Sequence, residues 1–163
     1  MRHVRKLVLA AILALLGFWI GYVFFPSPER VIRQHLIELS GAASIPPNEP
    51  PITRLANVVK LASLCTPDVE VSVEVPGHSF QNLQGRDRLR EAALAARSTF
   101  TTLTVEFVDI SVLRGSDPVS AVANLTAKAS FQGELVPQEL KIEFRKVGRD
   151  WLIERVSTVK TLR

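Results

Sequence analysis

The chain has 163 residues, 47% of them hydrophobic, with a mean hydropathy of +0.17 and a net charge of +4, which is enough for one domain and little more. A single cysteine excludes an intrachain disulfide framework and a cysteine-rich zinc site, and the composition excludes a collagen, a coiled coil, a disordered chain and a multi-span transporter. Arg2, Arg5 and Lys6 stand apart, and beyond them 17 basic residues face 16 acidic ones, so the pI of about 9.6 is no argument for nucleic acid.

The first element is apolar. Residues 7–25, LVLAAILALLGFWIGYVFF, contain 17 hydrophobic residues and two glycines, and as a helix rising ~1.5 Å per residue they reach roughly 28 Å, close to the ~30 Å hydrocarbon thickness. A cleaved secretory signal has a shorter apolar core, of about 7 to 15 residues, and a small-x-small cleavage site. This run ends instead in Tyr22-Val23-Phe24-Phe25-Pro26-Ser27-Pro28. The expectation is therefore a cytoplasmic stub over residues 1–6, an uncleaved transmembrane signal anchor over 7–25 and an exported domain over 26–163. Arg2, Arg5 and Lys6 hold the N-terminus inside the cytoplasmic membrane, and Trp19, Tyr22, Phe24 and Phe25 supply an outer aromatic belt. The domain beyond is then periplasmic or extracellular.

Ser27-Pro28-Glu29 reads as a helix start, followed by Ile32, Leu36, Leu39 and Ala43 on one face. Ile45-Pro46-Pro47-Asn48-Glu49-Pro50-Pro51 is an extended linker, because proline cannot continue a helix. A second helix over Ile52–Leu64 carries Leu55, Val58, Val59 and Ala62, and a strand over Val69–Val75 alternates with Glu70, Ser72 and Glu74. His78–Gln84 pairs back on that strand. A third helix, from Arg86 to about Thr99, presents Leu89, Ala93, Ala96 and Phe100, with its arginines on a solvated face.

The remainder reads as strands. Over Thr104–Arg114 the apolar phase shifts at Phe107-Val108, the signature of a β-bulge. Val119 to Phe131 alternate without a break, Leu140, Ile142 and Phe144 mark the next strand, and the last runs from Trp151 to about Val159. Three helices followed by long antiparallel neighbours predict an α+β domain with the helices on one face of a curved, mainly antiparallel sheet.

Three passages carry a resemblance: Cys65-Thr66-Pro67-Asp68-Val69-Glu70-Val71, Leu83-Gln84-Gly85-Arg86-Asp87-Arg88-Leu89-Arg90 and Phe144-Arg145-Lys146-Val147-Gly148-Arg149-Asp150-Trp151-Leu152-Ile153. In this order they resemble the helix-to-strand entry, the Gly-Arg-Asp helix start and the closing hairpin of the nuclear transport factor 2-like superfamily, which includes ketosteroid isomerases and SnoaL-like proteins. The resemblance spans about Glu29 to Val159 and implies a cone-shaped domain with a pocket between sheet and helices. Enzymes of the superfamily place a carboxylate base and Tyr or acid donors there, and many of its members dimerise through the open sheet face, so a homodimer is among the expectations. This chain has no Tyr after Tyr22. The superfamily's isomerase base aligns near Val73 or Glu74.

General acid/base chemistry needs a carboxylate or His whose pKa burial shifts toward neutrality. Asp109 and Glu74 are the candidate general bases: Asp109 shares parity with Val105 and Phe107, with its facing left open by the bulge, and Glu74 is set against a reading as a solvated strand carboxylate. Phe100, Phe107, Phe131 and Trp151 are the candidate pocket lining. His35 and His78 read as structural or surface residues and Cys65 as a packed thiol. No cofactor is expected, and with no cluster at ligand spacing no metal is expected. Two functions remain. One is a membrane-anchored, non-enzymatic binding or scaffold domain for a protein partner or a small apolar ligand, similar to the bitopic inner-membrane component of type IV secretion systems, which joins one span to a domain of this fold. The other is an isomerase- or dehydratase-like enzyme using Asp109 or Glu74.

Overall fold

The computed structural model describes residues 12, 14–15, 27–73 and 81–159. The expected span over 7–25 lies almost entirely outside them, as do Glu74, His78 and Phe80. Of the apolar run, Ile12, Ala14 and Leu15 are helical and exposed. Among the described residues no helix is long and apolar enough to cross a membrane.

Helix α1 (Pro28–Ala43) starts where the sequence places it: the Ser27 hydroxyl accepts from the Arg30 N–H at 3.4 Å, proline occupies the first turn and Glu29 meets the positive end of the dipole. After the proline-rich linker come α2 (Pro51–Ser63), β1 (Cys65–Val73), β2 (Gln81–Gln84) and α3 (Arg86–Thr99). The strands β3 (Thr104–Arg114), β4 (Ser120–Phe131), β5 (Glu134–Val147) and β6 (Asp150–Thr158) complete the chain. They form one six-stranded sheet in the order β2-β1-β6-β5-β4-β3, antiparallel throughout except where β1 and β6 run parallel. Gln132 and Gly133, with φ of 50° and 86°, make a two-residue turn between β4 and β5. Positive φ at both central positions is what a type I′ hairpin requires.

The core lies between the helices and one side of the sheet. Ile32 and Leu36 of α1 pack with Val69, Ala121, Ala123, Leu125, Leu140, Ile142, Phe144, Trp151 and Ile153.

Several expectations change. β1 begins at Cys65 rather than Val69, because Cys65 already pairs with Ile153 and the register breaks only between Cys65 and Glu70. The β3 bulge falls between Val108 and Ser111, later than Phe107-Val108, with Asp109 at φ 54°. On α2 only Val58 and Ala62 are buried, while Leu55 and Val59 are exposed, since that helix packs against its helical neighbours rather than deep on the sheet. On α3 the apolar face is half-buried, and the one buried side chain is Arg97, against the reading of its arginines as solvated.

Polar contacts fix α1 against β3. Ser44 Oγ accepts from Val105 N–H at 3.0 Å, Ser40 Oγ donates to the Val105 carbonyl at 2.7 Å, and Arg33 donates to the Ile110 carbonyl at 3.0 Å. The bulge takes Ile110 out of register with β4, and Arg33 supplies the donor that its carbonyl needs. These contacts orient the domain. Pro28 lies at the end carrying the β3–β4 and β5–β6 turns, and Ala43 at the end carrying the β4–β5 turn.

Candidate functional site

Among the described residues, three places are candidates for function. The first is the helix-facing side of the sheet, where Val71, Val73, Phe107, Ala127 and Val156 are packed against the core yet remain partly accessible. Its polar groups include Gln138 and Thr158, and Gln138 Nε2 donates to Thr158 Oγ1 at 3.0 Å. Among the described residues this surface is mainly apolar, with few groups that move protons.

The second is a cavity of about 480 Å³ at the end of the domain away from Pro28, formed by the proline linker, Arg54 and the segment after α3. Its wall holds a buried charge cluster. Glu49 Oε2 lies 3.3 Å from Arg97 Nε and 3.8 Å from Arg54 Nε, Asn57 donates to Glu49 Oε1 at 2.9 Å, and Arg97 also donates to the carbonyl oxygens of Ala42 and Ser44. Arg97 therefore ties the end of α1, the linker and α3 together. Sequence reasoning missed this cluster. Glu49 sat in a linker read only for its prolines, and nothing in a one-dimensional pattern pairs it with a helix arginine far along the chain.

The third is a shallow depression of about 260 Å³ lined by Asp109, Ser111, Asn124, Thr126, Glu139 and Val159 among others. Ser111 pairs with Asn124 and Thr126 with Glu139, positions that alternate with the buried Ala123, Leu125 and Leu140. The depression thus lies on the face of the sheet opposite the helices, and Asp109 is exposed there.

The four aromatic candidates do not converge on one pocket. Phe100 lines the linker cavity and meets Phe131 edge-to-face, with ring centroids 5.5 Å apart. Phe107 is half-buried on the helix-facing side, while Trp151 is buried in the core toward the opposite end of the strands from Phe131. His35 is half-buried on α1, its Nδ1 shielded without a hydrogen-bond partner. Burial pushes the Cys65 thiol up to about 12, only partly opposed by Arg86, so it is an inert packed thiol as the sequence suggested. Among the described residues no group of His, Cys, Asp or Glu is placed to hold a metal ion.

No family model and no curated protein matches the sequence. Solved structures do match in fold. A nuclear transport factor 2-like protein of unknown function from Pseudomonas putida aligns with a TM-score of 0.65 at 11% identity, over 85% of this chain and 90% of that one. A candidate scytalone dehydratase from Novosphingobium aromaticivorans aligns at 0.59 and 18%, over 82% and 84%. A cystatin-like-fold protein from Nostoc punctiforme aligns at 0.61 and 11%, over 85% and 96%. The fold is therefore the α+β architecture shared by nuclear transport factor 2-like and cystatin-like-fold proteins.

Proposed function

We propose that the chain is a membrane-tethered, non-enzymatic binding domain, held outside the cytoplasmic membrane by residues 7–25, that takes a small apolar ligand or the apolar surface of a protein partner. The observation that carries this reading is the contrast between the two faces of the sheet. The helix-facing side offers Val71, Val73, Phe107, Ala127 and Val156, whereas the described candidate base, Asp109, is exposed on the other face. General acid/base chemistry acts on a substrate held in a sheltered site, and this carboxylate stands on the open face instead. The length of the apolar run and its basic flank support the tether.

The competing enzyme reading draws on the dehydratase-named neighbour, whose likeness extends to fold alone. The test is Asp109→Asn combined with Glu74→Gln in the full chain, followed by co-purification of bound molecules from the native host. A binding domain keeps its ligand or partner in this variant. An enzyme loses turnover, and a turnover lost in this way would overturn the proposal.

A further inference from the structure

We propose that the end of the domain carrying Pro28 is a lipid-facing surface that docks on anionic head groups through the tips of the β3–β4 and β5–β6 hairpins. This rests on the tether reading above.

Three observations meet at that end. Contacts of Arg33 with Ile110 and of Ser40 and Ser44 with Val105 run α1 antiparallel to β3, so Pro28 emerges beside the last residues of β3. The apolar run ends at Phe25, and only Pro26 and Ser27 separate it from α1. A span over 7–25 therefore leaves this end within a few ångströms of the bilayer surface. The two hairpin tips meet here as well, with Lys146 N–H donating to the Val119 carbonyl at 2.7 Å.

The tips are built for an interface rather than for bulk water. Leu113, Val119 and Val147 are exposed by 56%, 46% and 49%. Beside them Arg114, Lys146 and Arg149 are exposed and have no ion pair among the described residues, while Arg145 is paired with Glu154. The acidic residues at the turns are Asp117 and Asp150. Both are exposed, and the Asp117 carboxylate is engaged by its own loop, accepting from the Val119 N–H at 2.9 Å. Exposed aliphatic side chains interleaved with unpaired cations match the head-group region, where stems enter the acyl boundary and charges meet phosphate. The opposite end, with the linker cavity, then stands away from the membrane by the length of α1, 16 residues or roughly 24 Å.

The test uses the full chain in vesicles of phosphatidylcholine with a minority of phosphatidylglycerol. Cys65 is buried and unreactive, so Val147→Cys and Thr101→Cys can each be labelled alone with an environment-sensitive fluorophore. Quenching by lipids carrying a nitroxide near the head group should be several-fold stronger for the probe at position 147 than for that at 101. Adding Lys146→Gln and Arg149→Gln should reduce it, and it should also weaken in vesicles of phosphatidylcholine alone. Equal quenching at both positions in a chain that resists alkaline extraction overturns the docking surface and leaves the tether intact. A chain released by alkaline extraction overturns both.

Discussion

At the residue scale, the buried groups make the sharpest claims. The Cys65 thiol ionises at about 12 in the folded chain against an ordinary value of 9.0, because burial disfavours the thiolate. The unfolded chain therefore releases this proton at a lower pH than the folded one, and the folded state loses stability as pH rises above about 9. Denaturation midpoints measured from pH 8 to 10.5 should fall more steeply for the wild type than for Cys65→Ala. Iodoacetamide should leave the native thiol unmodified at pH 8 and alkylate it on unfolding.

Glu49 makes a second residue-scale claim. Its side chain is 1% exposed and that of Arg97 2%, so Glu49→Ala leaves a buried guanidinium without its carboxylate, at a cost of about 3–5 kcal/mol. The pair Glu49→Leu with Arg97→Met should recover part of this loss in urea denaturation, because it removes both charges. Asp109 carries a different cost. Its φ of 54° lies in the left-handed region, which Asn tolerates and β-branched residues resist. Asp109→Asn should be neutral within ~0.5 kcal/mol, and Asp109→Val should destabilise by about 1–2 kcal/mol. A carboxylate kept for the bulge alone predicts that order.

At the element scale, the exposed stripe of α2 separates propensity from packing. Ile52, Leu55 and Val59 face solvent while Val58 is 2% exposed. Val58→Ala should lower stability by about 2 kcal/mol, whereas Leu55→Gln should stay within ~0.5 kcal/mol in the same thermal melts. The strands show what a sequence makes legible. In β4 the alternation of Ala121, Ala123 and Leu125 with Val122 and Asn124 maps directly onto buried and half-buried positions, because a period of two admits only one assignment of faces. The apolar side of α2, which takes in Ile52, Leu55, Val58, Val59 and Ala62, is wider than the stripe its neighbours cover, so periodicity could not say which edge of it would be buried. The β3 bulge was legible as a phase shift, but its position was not, since the apolar pattern does not say which residue leaves the ladder, whereas the structure keeps Val108 paired with Thr126 and puts the irregularity at Asp109 and Ile110.

For the whole molecule, the order of helices and strands was readable because each change of period is local, and the parallel pairing of β1 with β6 completes the sheet that this order implies. The candidate site was less readable. Phe107 and Phe100 have the same composition cue, yet one rests on the core and the other on the linker cavity, and only the tertiary path of α1 and the linker separates them. That path also gives the domain two unlike ends. One bears the hairpin tips beside Pro28, and the other bears the cavity held by Glu49 and Arg97.

The proposed function is binding rather than catalysis, from a position on the membrane. Native mass spectrometry of the full chain, extracted in mild detergent from the membranes of its own host, tests it most directly. Recovery in the membrane fraction with a stoichiometric apolar molecule or an intact membrane partner, retained in Asp109→Asn, is the expected result. A soluble mature chain beginning beyond Phe25, carrying neither, would contradict it.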